Sequence, residues 1–435
     1  GRGAAGGGGA AGASVVLGER YGFRGGNATA ALVAPLMSYH RELTAALGGD
    51  NARMLPSDHG AGEPVIDGVL RALLDRLAAT GGILPAGPDT GFTTPVDPEL
   101  FKLAGYDLLA GAGVRMLLHA FASDLMVTKD AARVVFETKS GPVVLDAAVV
   151  VDCTGDGDLA AAAGAAYHVG RPEDGLTQPM TLMFRMGRFD HAGFAGYVDG
   201  HPDQWRGVHG LWDLVRAATE SGELDLARED ILMFATPHAD EISVNSTRVT
   251  GALGTSVWDL TRAELVAHEQ MRQIVGFLRD RVPGFERSYL VQSGVQVGVR
   301  ETRRIVGRYE LTGEDVLSAR TFDDVVARGA YPVDIHSPDG RGTVLRRLPR
   351  GGAYDIPLRC LVPNDTERLL VAGRCLSGDH VAHSSYRVMP IAMATGQAAG
   401  VCAAMAAATG KAPGDVPADV VQVELRRQGA NLGGR

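Results

Sequence analysis

Between Glu367 and Gly410 the chain reads ERLLVAGRCLSGDHVAHSSYRVMPIAMATGQAAGVCAAMAAATG, and this stretch restricts the fold more than any other. Leu369 to Ala372 is a short apolar run of the kind that forms a buried strand, and a polar loop follows it. From about Pro390 to Ala408 the spacing predicts a helix, with proline in its first turn and Gly410 beyond its last. Ala392, Ala394, Gly396, Ala398 and Gly400 would let that helix lie close against a sheet or a flat ring. Its first turn has free N–H groups and the positive end of the helix dipole, which suits negative charge. Strand, loop and close-packed helix in this order mark an α/β fold.

A second grip of the same kind stands near the start. Residues 18–33, GERYGFRGGNATAALV, run from a strand end through an acid, Glu19, to the glycine pair Gly25 and Gly26. An acid at a strand end can accept two ribose hydroxyls, and glycines let backbone pass close beneath a dinucleotide. The glycines before it can be read in two registers. Gly1, Gly3 and Gly6 match G-x-G-x-x-G, but Glu19 then follows too soon for the usual spacing of about twenty residues. Alternatively Gly1 is the last glycine of the fingerprint, a helix follows, and Ala11 to Leu17 is the turn and second strand. A flexible glycine-rich tail is the third reading.

Asp67–Ala79 and Asp97–Ala110 carry apolar residues at helical spacing behind acidic starts, so both are expected to be helices. Residues 114–151 change to short β-rich runs, a meander that returns to a buried strand at Ala148–Asp152. A nicotinamide-binding domain would follow its acid with further βα units. An acid followed by about a hundred residues and a meander before VVVDCTGDGD is instead the plan of two-domain flavoproteins. A chain of 435 residues also exceeds the size at which one core stops growing.

Bulk properties exclude several partners. The net charge of −9 has no basic block to offset it, which argues against nucleic acid or an anionic membrane surface. Cys153, Cys360, Cys375 and Cys402 never approach C-x-x-C spacing, so a reduced, cytoplasmic protein without a thiolate metal site is expected. No apolar run is expected to reach the ~18 residues of a membrane span, and no basic segment precedes a hydrophobic stretch. The sequons at Asn27 and Asn245 carry little weight without a secretion signal. A small-molecule substrate fits best, with an unknown electron acceptor and room for a homo-oligomer.

Five stretches together resemble the bacterial FAD-dependent oxidoreductases related in fold to glutathione reductase and to the flavin subunit of heterodisulfide reductase. They are ERYGFRGGNAT, VVDCTGDGDLAAAAGA, QPMTLMFRMG, GVRETRRIVGRYELTGEDVL and LLVAGRCLSGDHVAHSSYRVMPIAMATGQAAG, and they span nearly the whole chain in family order. The resemblance implies a two-domain, FAD-binding, Rossmann-like fold of the glutathione reductase type, with a β-meander and an inserted α+β cap. Residues 1–165 and 355–435 would form the FAD domain and 166–354 the cap. It also implies that the first strand and phosphate loop are missing from this sequence, and, without cysteine clusters, iron–sulfur ligands are not carried over.

By the same resemblance Glu19 would hold the adenosine ribose, with Arg20 beside the adenine. Gly1 would end the first phosphate loop, and Gly25, Gly26 and Asn27 would pass near the pyrophosphate and flavin. Val127 would meet the adenine through its backbone. Gly155 and Asp156 would form the ribose-side turn, Gly373 and Asp379 the second pyrophosphate contact, and Val388, Met389 and Pro390 the flavin edge.

Oxidation by a flavin needs a substrate carbon over the ring and a base for the substrate's proton. His383 or His380 is the candidate base and Arg387 the stabiliser of negative charge. Histidines that only tie the loop together are the alternative, and as a metal pair they lack a third ligand in register. In VGVRETRRIVG, Arg300 is a candidate for the substrate cleft; on a strand it would share a face with Thr302 and Arg304. A buried Arg–Glu pair or a solvated charged face is the other reading. Asn245, Thr247 and Arg248 could line the same cleft, Ser384 and Ser385 form no recognisable triad, and the methionines of QPMTLMFRM read as core.

Three activities fit this reading. The first is a dehydrogenase or oxidase acting on a small, polar, hydroxylated metabolite. The others are an electron-transfer subunit of a heterodisulfide-reductase-like complex, and a polysaccharide-acting lyase.

Overall fold

The computed structural model describes residues 1–41, 62–85, 93–340 and 342–434. The glycine-rich start is neither a phosphate loop nor a tail. It is helix α1 (Arg2–Ala10), followed by strand β1 (Val16–Glu19), which is the register in which Gly1 precedes the helix. Gly3 and Gly6 lie inside the helix, so the register that used them as loop glycines fails.

The expected helices form as α2 (Val69–Ala79) and α3 (Pro98–Gly111). In α2 the leucines at 70, 73, 74 and 77 make one buried face. In α3 Asp97 is the N-cap, its carboxylate accepting from the Leu100 N–H at 2.8 Å, and Pro98 occupies the first turn.

Strand β2 (Arg115–Leu118) lies parallel to β1, with Glu19 opposite Leu118. The meander follows as β3 (Ala120–Val127), β4 (Ala132–Thr138) and β5 (Val143–Ala147), all antiparallel. It leads to β6 (Val150–Asp152), which pairs in parallel with the much later strand Leu369–Val371. Parallel pairing of segments so far apart is what an α/β domain with an insertion requires.

The insertion has its own core. Phe184–Gly187 lies inside a six-stranded antiparallel sheet that also holds Ile231–Ala235, Glu241–Val244 and Tyr289–Ser293. A 25-residue helix, Val257–Arg281, is capped by Ser256 and buries Ala263, Ala267, Met271, Ile274 and Phe277. Met180, Met183 and Met186 are buried in this part of the molecule, as expected of core residues. The hydrophobic cluster of the insertion runs from Met180 to Val299. Residues beyond it, expected in the cap up to 354, instead give Leu311, Val325, Val326 and Tyr354 to the core of the first domain.

The expected strand 297–307 forms only at Arg303–Ile305, against Tyr167–Val169, so Arg300 and Thr302 lie outside it and the alternation argued for that face does not apply.

Helices α4 (His380–Tyr386) and α5 (Met389–Thr409) follow in the first domain, and a further helix, Ala418–Arg427, adds Val421 and Leu425 to its core. Helix α5 ends at Gly410, which is left-handed with φ 68°. Contrary to the sequence expectation, α5 is long and apolar enough to cross a membrane by length and composition. Its apolarity is that of a core helix, because most of it is buried and α1 crosses it at very close range. A Cβ on Gly3 would stand 2.5 Å from the Met393 carbonyl oxygen, and one on Gly400 only 2.0 Å from that of Ala4. The glycines of α1 thus serve helix–helix contact.

Candidate functional site

The first half of the site is built where β1 ends. Glu19 is partly buried, and one of its carboxylate oxygens accepts the Tyr21 N–H at 3.3 Å. The chain then turns through Gly25 (φ 130°) and Gly26 (φ 55°) into a short 3-10 turn, Gly26–Ala28. A side chain at Gly25 would collide with Thr29, whereas among the described residues nothing lies within 4 Å of where a Cβ on Gly26 would point. Asn27 donates its side-chain amide to the Val299 carbonyl at 3.2 Å, tying this loop to the insertion. Arg20 lies over the Tyr21 ring at 4.8 Å and bonds to Gln296, as does the Tyr21 hydroxyl.

Two residues that sequence reasoning did not select stand beside Glu19. Arg2, one residue past Gly1 at the start of α1, and Arg24 are 9% and 2% exposed. In both, Nε and Nη1 are buried with no hydrogen-bond partner among the described residues. Burial lowers Arg2 to about 9 and Arg24 to about 10, against the pull of Glu19 on both. Unpaired buried guanidinium groups are costly unless an anion meets them. No spacing rule would have found them; each is an isolated arginine in a glycine-rich context.

Val127 lies elsewhere. It pairs with Ala132 at the far end of β3, whereas Ala122 pairs with Phe136, the residue that would meet a Cβ on Gly18. The five residue steps from Ala122 to Val127 span about 16 Å of strand. The meander residues beside β1 are therefore Ala120–Ala122, and Val127 is not brought to Glu19.

At the second strand end, Asp152 is fully buried and holds the following turn by accepting from the N–H groups of Thr154 and Ala160 at 2.9 Å. Asp156 accepts from Thr302 Oγ1 and from Arg374 Nη2, both at 2.9 Å. Gly155 sits against Arg374, whose Nη1 is buried without a partner. The Gly373 N–H donates to Thr395 Oγ1 at 3.3 Å. Asp379 caps α4: Oδ1 accepts from the Ala382 N–H at 2.7 Å and Oδ2 from the Gly313 N–H at 2.9 Å. Val388 is the N-cap of α5, with Met389 and Pro390 in its first turn and no side chain capping it.

His380, His383 and Arg387 share one face of the segment from α4 to the start of α5. Their settings differ. His380 Nδ1 meets Glu301 at 2.9 Å. That carboxylate is fully enclosed, paired with Arg304 and bonded by the Gln178 N–H at 3.1 Å. With Glu301 accepting from Nδ1–H, Nε2 keeps its lone pair. The buried Arg–Glu pair weighed for 297–307 is thus present, in Glu301–Arg304. His383 is fully buried and neither ring nitrogen has a partner among the described residues. Burial and the cations Arg304, Arg387 and Arg374 hold its imidazole well below the usual range, so it is neutral.

Arg387 Nη2 donates to Asp334 at 3.3 Å, and Tyr331 donates its hydroxyl to the same carboxylate at 2.8 Å. His336 Nε2 lies 3.4 Å from Asp334, while its Nδ1 accepts from Arg248 Nη2 at 3.0 Å. Arg248 has only donors, so His336 is the neutral tautomer protonated on Nε2. Burial pushes it down to about 3, against the opposing pull of Asp334. Arg300 donates through Nη1 to the Pro179 carbonyl and Thr181 Oγ1, both at 2.6 Å. Burial and then Arg387 and Arg248 hold it well below an ordinary arginine. Arg228 pairs with Asp230, whose other oxygen meets His209 Nδ1 at 2.6 Å. Asp230, Asp334, His336 and Arg228 come from segments whose sequence carries no motif.

The profile of the FAD dependent oxidoreductase family matches residues 1–425, so the chain belongs to that family. It is an FAD-dependent oxidoreductase with an α/β FAD-binding fold, and FAD is its cofactor. No curated protein matches it. Among solved structures it is similar to the OxyS anhydrotetracycline hydroxylase from Streptomyces rimosus, with 12% identity and a TM-score of 0.47 over 98% of this chain and 63% of that one. It is also similar to the p-nitrophenol 4-monooxygenase PnpA from Pseudomonas putida DLL-E4, with 10% identity and a TM-score of 0.41 over 98% of this chain and 76% of that one. A Diels-Alderase of pyrroindomycin biosynthesis gives 12% identity and 0.43 over 98% of this chain and 67% of that one.

The residues present fit such a dinucleotide. Unpaired guanidinium nitrogens of Arg2 and Arg24 stand beside Glu19, the space over Gly26 is open, and the first turn of α5 has no side-chain cap.

Proposed function

We propose that this enzyme moves a hydride between a carbon of a small polar metabolite and FAD, on a fold of the glutathione reductase type in which the insertion covers the substrate. Bound FAD would supply the two-electron acceptor or donor. Glu19 would accept from the adenosine ribose, Arg2 and Arg24 would receive the phosphates, and the first turn of α5 would lie at the flavin edge.

The observation that carries this reading is the face His380, His383 and Arg387, which leads directly into the uncapped start of α5. His380 is the preferred proton acceptor, because Glu301 fixes Nδ1–H and leaves Nε2 free. As a substrate C–H bond breaks and its electron pair leaves the carbon, the hydroxyl proton would pass to His380 Nε2. Arg387 would hold the oxygen on which negative charge develops. His383, enclosed and kept neutral by its cationic neighbours, would support the helix face.

Anaerobic spectrophotometry of purified, FAD-loaded protein against sugars, hydroxy acids and amines tests the reading. Loss of the yellow flavin band with one substrate class is expected. Bleaching by none of them, together with reduction by a protein partner, would replace it with the electron-transfer reading.

A further inference from the structure

Around Asp334 the positive charge exceeds the negative. Four guanidinium groups, Arg228, Arg248, Arg300 and Arg387, act on one another here, and Asp230 and Asp334 are the carboxylates that face them. His336 is neutral and adds none. The side chains of Arg228, Arg387, Asp230 and Asp334 are 9–13% exposed, so water screens this excess poorly.

The four arginines are not equally occupied. Arg248 is bonded through Nη1 to the Gly340 carbonyl at 2.8 Å and through Nη2 to His336, and Arg228 is bound to Asp230. Arg300 uses only Nη1 and Arg387 only Nη2 on the protein, among the described residues. Arg387 Nε is buried with nothing to bond. Two partly committed guanidinium forks thus share one region: the Asp334 carboxylate that binds Arg387 neighbours His336, whose backbone N–H donates to the Gln178 side chain at 3.4 Å, next to the Pro179 carbonyl held by Arg300, and Arg387 stands one residue before the N-cap of α5.

We propose that Arg300 and Arg387, backed by Arg248 and Arg228, bind a carboxylate of the substrate, so that the metabolite is a small organic acid rather than a neutral sugar. This rests on the hydride-transfer reading for the site's location, and its binding chemistry can be tested apart from it. A carboxylate would fill the free donors of both forks and halve the excess charge. Arg387 can hold both the reacting oxygen of the hydride-transfer reading and a carboxylate oxygen only where their two carbons are adjacent, which makes a 2-hydroxy acid the favoured member of the class.

The experiment uses FAD-loaded protein under anaerobic conditions, with acids that carry no hydroxyl group, acetate and malonate, against the neutral diols ethylene glycol and propane-1,3-diol. Binding is read twice, by perturbation of the flavin absorption band and by the rise in Tm. The acids are expected to bind and the diols not, and R300M or R387M should weaken the acids by roughly ten- to a hundredfold. R387K should recover part of the loss, since charge remains while the fork is gone.

Diols binding as well as acids in the wild-type protein, or acids not binding at all, overturns the proposal even if a variant does not fold. Acids that bind while no hydroxy acid bleaches the flavin support the pocket and remove the hydride-transfer reading. Bleaching by a neutral polyol that acids do not inhibit does the reverse.

Discussion

Replacing Arg24 with methionine should move the apoprotein and the loaded enzyme in opposite directions. Arg24 is 2% exposed, and its Nε and Nη1 have no partner among the described residues. Burial, only partly offset by Glu19, takes its pKa from 12.5 to about 10. At pH 7 the group is charged in both the folded and unfolded chain. Holding that charge in the fold then costs roughly 3 kcal/mol, a cost that fades only as the pH rises through about 10. Methionine removes the charge and fills much of the same volume, so R24M apoprotein should gain about 1–3 kcal/mol, seen as a higher Tm in thermal unfolding. The loaded enzyme should lose affinity instead. If the unpaired nitrogens await the cofactor's phosphates, FAD should bind roughly ten- to a hundredfold more weakly in a titration followed by flavin fluorescence. A lower apoprotein Tm with unchanged FAD affinity would refute the reasoning, since Arg24 would then be a structural residue satisfied within the protein.

Three further outcomes follow from other parts of the structure. Gly400→Ala would set a Cβ 2.0 Å from the Ala4 carbonyl oxygen, so α1 must leave α5; FAD retention through gel filtration should fall sharply, with a loss of several kcal/mol in chemical unfolding. His336, held neutral down to about 3, stabilises the fold above pH 6.5, and the contribution drains away as the pH falls; by pH 5 the wild type should lose about 2 kcal/mol that H336N does not, in paired urea titrations. H380Q should lower kcat by at least about a hundredfold, while H383N, which keeps a polar group inside the same packing, should change mainly Tm.

Local chemistry was legible in the sequence wherever one segment sufficed. Asp97 with Pro98, the leucines of α2 and the Pro390–Gly410 bracket of α5 each write their element into a few neighbouring residues. Glu19 with Gly25 and Gly26 was legible for the same reason, a strand end and its turn being contiguous. What depended on pairing across distance was not. Val127 was misplaced because a hairpin's register is set by the partner strand, and β4 puts Phe136, not Ala132, beside β1. Arg300 needed the irregular stretch before Arg303, which broke the alternation its neighbours suggested. Arg2, Arg24, Asp334 and His336 are single residues whose meaning lies in what surrounds them. The glycines of α1 admitted more than one register, because a short residue that lets a phosphate approach equally lets a second helix approach.

That helix contact also sets an order of events for the newborn chain. Helix α1 has five glycines among nine residues, each worth up to about 1 kcal/mol against helix formation relative to alanine, so it has little reason to be helical alone. Its support is α5 (Met389–Thr409), which leaves the ribosome nearly the whole described sequence later. At 5–20 residues per second the opening segment waits roughly 20–80 s for that partner. The insertion, with its own core between Met180 and Val299, can fold during the interval. The cofactor half waits for α5, so FAD meets a chain synthesised at least through Thr409 rather than guiding an early one.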